Sequence, residues 1–312
     1  MVNLSQNKII ALVRVARPIH WIKNLGIFAA LVISGQLFDK GQFLTVFEAF
    51  WAFNFAASAT YVFNDVFDAD RDAKHPQKKH RPVASGVLSK SVALIYAFVL
   101  VIIGLGIAED VSHLYFILLV GYLLMQVAYS IYLKHLHIID ILIIATGFII
   151  RVYSGAFVID AHLSVWFLLC VISVALFLAS GKRRAELGAL GSDTQTRKSL
   201  SRYPVELLNS YVTMFGNAAW MSWALFTFFE SPTVNTPVWL VLSEISRTAS
   251  INKLLMITIP VTIFGIMRYQ SLIFEGRSQA PEKLLLKDKA LVGSVIIWTG
   301  LLVWTLYGGI TN

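Results

Sequence analysis

Apolar runs of bilayer-crossing scale recur along the chain, at about 25–38, 42–63, 91–108, 112–132, 138–159, 163–180, 206–229, 253–267 and 290–309. Several reach the roughly 20 residues that a helix needs to cross the hydrocarbon core. A helix in lipid satisfies its own backbone. The expected fold is therefore an all-α integral membrane bundle of nine transmembrane helices. The first and eighth runs are short, and residues 236–247 are shorter still and read as a surface helix. With 57% hydrophobic and 14% charged residues, against about 25% charged in a soluble domain, the chain is neither a soluble enzyme nor disordered. One cysteine, Cys170, excludes an intramolecular disulfide and a cysteine-built zinc site. Lys8, Arg14, Arg17 and Lys23 precede the first run with no small-residue cleavage site, so the N-terminus does not read as a cleavable signal.

Charge orients the spans. With the N-terminus inside, segments 1–24, 64–90, 133–137, 181–205 and 268–289 hold 22 of the 26 Lys and Arg residues. Lys40, Arg247 and Lys253 lie outside, and Arg151 lies within a span. That bias satisfies the positive-inside rule. The net charge of +8 thus reflects basic cytoplasmic loops and calls for no nucleic acid. The expectation is a single transmembrane domain over 1–312, with active-site loops at about 64–90 and 181–205. These two loops follow the second and sixth spans, a hint of internal repetition.

The first loop opens Asn64-Asp65-Val66-Phe67-Asp68-Ala69-Asp70-Arg71-Asp72. If the second span continues as helix, Asp65, Asp68 and Asp72 share one face with Asn64 beside them, and Asp70 points to solvent. Stacked carboxylates require a positive partner, and hard oxygen ligands suit Mg²⁺, with substrate phosphates completing its coordination. The plainer reading is a solvated helix end balanced by Arg71 and Lys74. Lys74, Lys78, Lys79 and Arg81 follow, with Pro76 and Pro82 ending any helix. Cations placed there would take the phosphate oxygens that the metal does not; Lys74 and Arg81 are the substrate contacts expected.

Asn64-Asp65-x-x-Asp68-x-x-x-Asp72, then Arg81-Pro82 and Ser85-Gly86, resembles the first aspartate-rich motif of the UbiA superfamily of intramembrane prenyltransferases. Arg17-Pro18-x-x-Trp21-x-Lys23-Asn24 is similar too, and adds Lys23 and Asn24 to the expected substrate contacts. The resemblance covers nearly the whole chain. It implies a bacterial inner-membrane enzyme with its active site facing the cytoplasm.

Ordinary members carry a second aspartate motif after the sixth span. Here that position reads Gly181-Lys182-Arg183-Arg184-Ala185-Glu186-Leu187, so the second motif is absent or reduced to Glu186. The departure resembles the polyprenyl-phosphate phosphoribosyltransferase branch. That branch has this segment, the following Arg197-Lys198-Ser199-Leu200, Leu133-Lys134-His135, Ile150-Arg151, Ala280-Pro281-Glu282 and Leu286-x-Asp288. It carries Glu where this chain has Asp140. The resemblance implies phosphoribosyl diphosphate and a polyprenyl phosphate as substrates. Their anionic groups call for Arg81, Lys134, Lys182, Arg183 and Arg184, Arg as a fork and Lys as a point charge. A lipid-headgroup anchor is the plainer reading of Lys182–Arg184.

Asp140 and Arg151 stand eleven residues apart in one span, roughly on one face. Ionisable groups at that depth face a cavity or each other. Asp140, also counted among the expected substrate contacts, could reach the cytoplasmic surface; Arg151 serves either substrate or neighbouring polar groups. Tyr129 and Tyr132 read mainly as an interfacial aromatic belt, with Tyr132 also a substrate-contact candidate. His135 and His137 diverge on a helix, which argues against a histidine metal site. The resulting expectation is an Mg²⁺-dependent transferase. It would move 5-phosphoribose from phosphoribosyl diphosphate to a polyprenyl phosphate of cell-wall synthesis. Asp65, Asp68, Asp72 and Glu186 are the catalytic candidates, and Asn64 joins the three aspartates on the metal. The alternatives are a prenyltransferase, which predicts two carboxylate clusters, and a transporter, which predicts charges buried along a pathway.

Overall fold

The computed structural model describes residues 4–74, 78–189, 203–230, 251–275 and 287–308. The motif residues His75–Gln77, Arg197–Leu200, Ala280–Glu282 and Leu286, and the surface helix expected over 236–247, lie outside the described residues. Every regular element described is helical. Helix α1 (Leu4–Ala16) leads into a 3₁₀ segment, Pro18–Ile27, and then α2 (Phe28–Ile33), α3 (Lys40–Phe67) and α4 (Ala69–Asp72). After these come α5 (Lys90–Val111), α6 (His113–Ile131), α7 (Ile139–Val158), α8 (Val165–Ala189) and α9 (Val205–Phe229). A second 3₁₀ segment, Ile251–Thr258, leads into α10 (Ile259–Phe274), and α11 (Lys289–Tyr307) follows. Asp39, Ser89 and Asp288 cap α3, α5 and α11, each side chain accepting a backbone N–H three residues on.

Six helices among the described residues are long and apolar enough to cross a membrane: α5, α6, α7, α8, Leu254–Phe274 and α11. The expected count of nine is not reproduced. The first apolar run is not one helix. Pro18 starts a 3₁₀ segment, and the α-helix that follows has only six residues before Gly35, at φ 78°. The basic stretch after Ser180 is not a loop either, because α8 runs on through it to Ala189. Lys182 to Leu187 are good helix formers, and Arg183 pairs with Glu186 one turn on.

Small residues set the packing. Ala49, Ala52, Ala56 and Ala59 of α3 are buried, and a Cβ on Gly104 of α5 would stand 2.9 Å from the Ala52 carbonyl. Such positions let helix backbones close up where lipid gives no hydrophobic drive. Gly155 does the same for α7. A Cβ there would collide with the Ile27 carbonyl, so α7 lies directly on the first 3₁₀ segment. Leu94, Ile95, Phe98, Ile102 and Ile103 of α5 face outward, as a lipid-facing surface requires.

Candidate active site

The acidic helix face expected over 65–72 does not form as one face. α3 ends at Phe67, Asp68 leaves the helix at φ −91° and ψ 2°, and α4 restarts at Ala69. The break leaves Asp65 and Asp72 on one shared cation and turns Asp68 to another. Arg81 places Nη1 3.0 Å from Oδ1 of Asp65 and 2.6 Å from Oδ2 of Asp72. Arg17 donates a second charged hydrogen bond to Asp65. Asp68 instead accepts from Nζ of buried Lys134, at 2.9 and 3.0 Å, with Arg71 3.6 Å away. Asp65 and Asp72 are buried. Asp70 faces outward as expected; it is exposed and pairs with Lys90 at 2.9 Å. That lysine, by hydrogen bond and charge, holds the Asp70 carboxyl below the usual range. Asn64 is half-buried and Lys74 exposed.

Arg81 is placed by the turn after the short 3₁₀ segment Lys78–His80. Its carbonyl accepts from Ser85 N–H, Leu88 N–H donates to the Pro82 carbonyl, and Gly86 takes φ 76°. Val83 and Leu88 are buried against the core shared with α3 and α5.

A second charged centre lies where α6, α7 and α8 converge. Arg183 of α8 is 1% exposed. It puts Nη1 2.5 Å from Glu186 and Nη2 2.7 Å from the Tyr129 hydroxyl. Its Nε stands 2.7 Å from Oδ2 of Asp140, an ion pair lying off the N–H axis. Asp140 does not reach the surface; it is fully buried and takes a 2.7 Å hydrogen bond from the Tyr203 hydroxyl. Burial and the Asp140 carboxylate push the Tyr203 phenol up. The helical step splays the three consecutive cations. Lys182 is half-buried, and Arg184 donates to Asn209 of α9 at 2.7 Å beneath the Phe274 ring. Lys134 stands five residues beyond Tyr129, so the end of α6 joins the two centres.

Arg151 is the third buried cation. It donates to Asn24 at 2.6 Å, to the Gly147 carbonyl and to Tyr122 at 3.3 Å, and its guanidinium lies against Phe53, Tyr122 and Phe148. Asn24 in turn donates to Asn54 at 2.6 Å. Of the two roles open to Arg151, this geometry supplies the neighbouring polar groups, and Asn24 belongs to the same network. Lys23 is half-buried and Tyr132 is 62% exposed.

Arg17, Tyr129, Tyr203, Asn54 and Asn209 did not stand among the expected site residues. Arg17 carried a signal, standing beside Pro18 in the quoted motif. Tyr129 was grouped with Tyr132, yet only Tyr129 turns inward to a cation. Nothing local marks the other three, whose partners come from distant helices.

Among the described residues, no three His, Cys, Asp or Glu side chains gather to hold a metal ion unaided. Lys134 draws Asp68 away from the other two. Asp65 and Asp72 nevertheless aim oxygens at a single cationic nitrogen, Nη1 of Arg81. A two-carboxylate, all-oxygen set fits Mg²⁺, which takes one or two carboxylates and completes its shell with water and substrate phosphate.

Residues 25–183 match the UbiA prenyltransferase family. The decaprenyl-phosphate phosphoribosyltransferase of Mycolicibacterium smegmatis is 34% identical, over 97% of this chain and 94% of its own length. The enzyme of the same name from Corynebacterium glutamicum is 33% identical, over 95% and 86% respectively. Among solved structures, a UbiA homolog from Archaeoglobus fulgidus bound to GPP and Mg²⁺ superposes with a TM-score of 0.64. It is 18% identical, and the match covers 95% of this chain and 98% of that one.

Proposed function

This chain belongs to the UbiA prenyltransferase family, and from that premise we propose that it transfers 5-phosphoribose from phosphoribosyl diphosphate to a polyprenyl phosphate, releasing diphosphate. The observation that carries the reading is Arg183. Where ordinary family members carry carboxylates for a second metal, this chain buries a guanidinium bound to Asp140, Glu186 and Tyr129. A prenyl diphosphate offers one diphosphate for two metals to hold. A phosphoribosyl diphosphate adds a separate 5-phosphate, and the acceptor lipid brings a third anionic group. A site for three such groups needs cations in excess of carboxylates.

The bond-forming atom is a phosphate oxygen of the lipid, which attacks the anomeric carbon as the C–O bond to diphosphate breaks. That oxygen is already ionised near neutrality, so the chain supplies no general base. Asp65 and Asp72 would hold Mg²⁺, with Asn64 and Asp68 beside them, and the chemistry a divalent cation supplies there is neutralisation of the leaving diphosphate. Arg17, Arg81 and Lys134 hold the carboxylates as the structure stands. When substrate arrives they exchange carboxylate for phosphate oxygens, a charge-assisted pairing of the same kind. Lys182 and Arg184 extend the cationic surface toward the 5-phosphate, and Glu186 faces the ribose hydroxyls. Lys74, two residues after Asp72, Tyr132, two residues before Lys134, and Lys23, beside the Asn24 that holds Arg151, complete the proposed substrate contacts. The site opens to the cytoplasm from a bacterial inner membrane, with the N-terminus inside.

The test is transfer by purified protein in lipid. Phosphoribosyl diphosphate labelled in the ribose should pass label into the organic phase only when polyprenyl phosphate is present, with stoichiometric diphosphate release. Diphosphate release without labelled lipid would refute the acceptor.

A further inference from the structure

Among the described residues, three other than glycine take positive φ, Arg17, Ile138 and Asp160, and of these Ile138 alone is β-branched. This β-branched residue sits at φ 69° and ψ −48°, and the Ile139 N–H donates to the His137 carbonyl at 2.8 Å. Those angles and that hydrogen bond define a γ-turn of the rare, strained hand. A β-branched side chain at positive φ is an outlier that persists only where its surroundings impose it. The side chain is 42% exposed, so burial of Ile138 is not what imposes it. The turn falls between one functional cation and the anchor of another: Lys134, on Asp68, lies four residues before it, and Asp140, the carboxylate that pairs with Arg183, lies two residues after.

One side chain from elsewhere grips all of this. The Tyr203 hydroxyl accepts the Ile138 N–H at 2.7 Å and donates to Oδ1 of Asp140 at 2.7 Å. Its ring lies on His137 with centroids 4.0 Å apart. Tyr203 thereby touches residues 137, 138 and 140, and its hydroxyl uses one acceptor and one donor site in doing so.

We infer that Tyr203 is a positioning residue: its hydroxyl holds the γ-turn at Ile138 closed and so keeps Lys134 and Arg183 in register across the two halves of the site. This rests on the proposed phosphoribosyl transfer for its kinetic consequence, though not for its structural one. Phenylalanine at 203 keeps the ring and its burial and removes both hydrogen bonds. The strained turn then opens, and Lys134 and Arg183 lose their common reference. In the proposed reaction Lys134 holds substrate phosphate before and during transfer, and buried Arg183 sets the position of its neighbours Lys182 and Arg184, which do the same, so the loss is one of uniform binding, which raises KM and spares kcat.

The full-length protein in lipid carries the test. For Tyr203→Phe, KM for phosphoribosyl diphosphate should rise about tenfold, the scale of one hydrogen bond to a charged group, with kcat within about twofold. The Ile139 amide, whose hydrogen bond to the His137 carbonyl closes the turn, should exchange with deuterium about tenfold faster or more, on the same basis. Glycine adopts positive φ without strain, so adding Ile138→Gly to Tyr203→Phe should return KM most of the way. A fall in kcat with KM unmoved, unchanged exchange at Ile139, or no recovery on adding Ile138→Gly would each overturn the inference. If the unsubstituted protein does not use phosphoribosyl diphosphate, the functional reading fails, and exchange at Ile139 in Tyr203→Phe still decides the clasp.

Discussion

Arg81 and Mg²⁺ should compete for the same two carboxylates, and Arg81→Ala exposes that competition. The Arg81 side chain is 27% exposed, while those of Asp65 and Asp72 are 2% and 5% exposed. Removing one partner of a fully buried pair costs about 3–5 kcal/mol, and losing an exposed pair about 0–1 kcal/mol. A partly exposed arginine on two buried carboxylates falls between, at about 2 kcal/mol. Asp65 keeps Arg17, so Asp72 bears most of the loss. Metal reverses the sign of the comparison. In the unsubstituted protein, Mg²⁺ must displace Nη1 before it can bind, whereas in the variant it meets Asp72 uncompensated and Asp65 held by Arg17 alone. Thermal unfolding in detergent, with substrate absent and Mg²⁺ titrated, should show Arg81→Ala less stable without metal. Its stabilisation by Mg²⁺ should be greater, with binding about tenfold tighter, equivalent to roughly 1.4 kcal/mol. Equal Mg²⁺ stabilisation of the two proteins would refute the shared site.

Asp65→Asn and Asp68→Asn should each cut turnover by about two orders of magnitude or more; Asp70→Asn, on a side chain that only meets Lys90 in solvent, should stay within about twofold, and radiolabel transfer separates them. Lys182→Ala should raise KM for phosphoribosyl diphosphate about tenfold with normal insertion, whereas a headgroup anchor would change insertion and leave KM alone. Arg183→Ala strands Asp140 at 0% exposure and should cost about 3–5 kcal/mol of stability, read by detergent unfolding before any assay. Asp288, held near about 2 by the hydrogen bond from Arg268, favours the folded state above its ordinary 3.8. The stability gap between unsubstituted protein and Asp288→Asn should therefore be flat above pH 4 and close as pH falls toward 2.

The spans α5 to α8 and α11 were legible because apolar length alone specifies a membrane helix. The aspartate motif was legible because carboxylates flush against a span need a cation. The break at Asp68 was not. Val66 to Asp72 contains neither glycine nor proline, and the helix yields there to tertiary demands from Lys134 and Arg81. The extension of α8 was hidden for a related reason. A run of Lys and Arg at a span end reads as solvated charge, and only Asp140 and Tyr129, from two other helices, draw Arg183 inside. Arg151 was recognised as a costly buried charge, but its acceptors are an asparagine 127 residues away, a carbonyl and a phenol, none of which periodicity reveals.

The claim beneath all of this is that a cation-rich second centre selects a sugar phosphate donor over a prenyl diphosphate. Equilibrium binding to the purified, lipid-inserted protein in Mg²⁺ tests it most directly, with phosphoribosyl diphosphate and geranyl diphosphate titrated side by side. Phosphoribosyl diphosphate should bind at least about tenfold tighter, the worth of one added charge-assisted contact, and the preference should vanish in Lys182→Ala. Tight binding of geranyl diphosphate with none of phosphoribosyl diphosphate would contradict the account and return the chain to the prenyl-transferring members of its family.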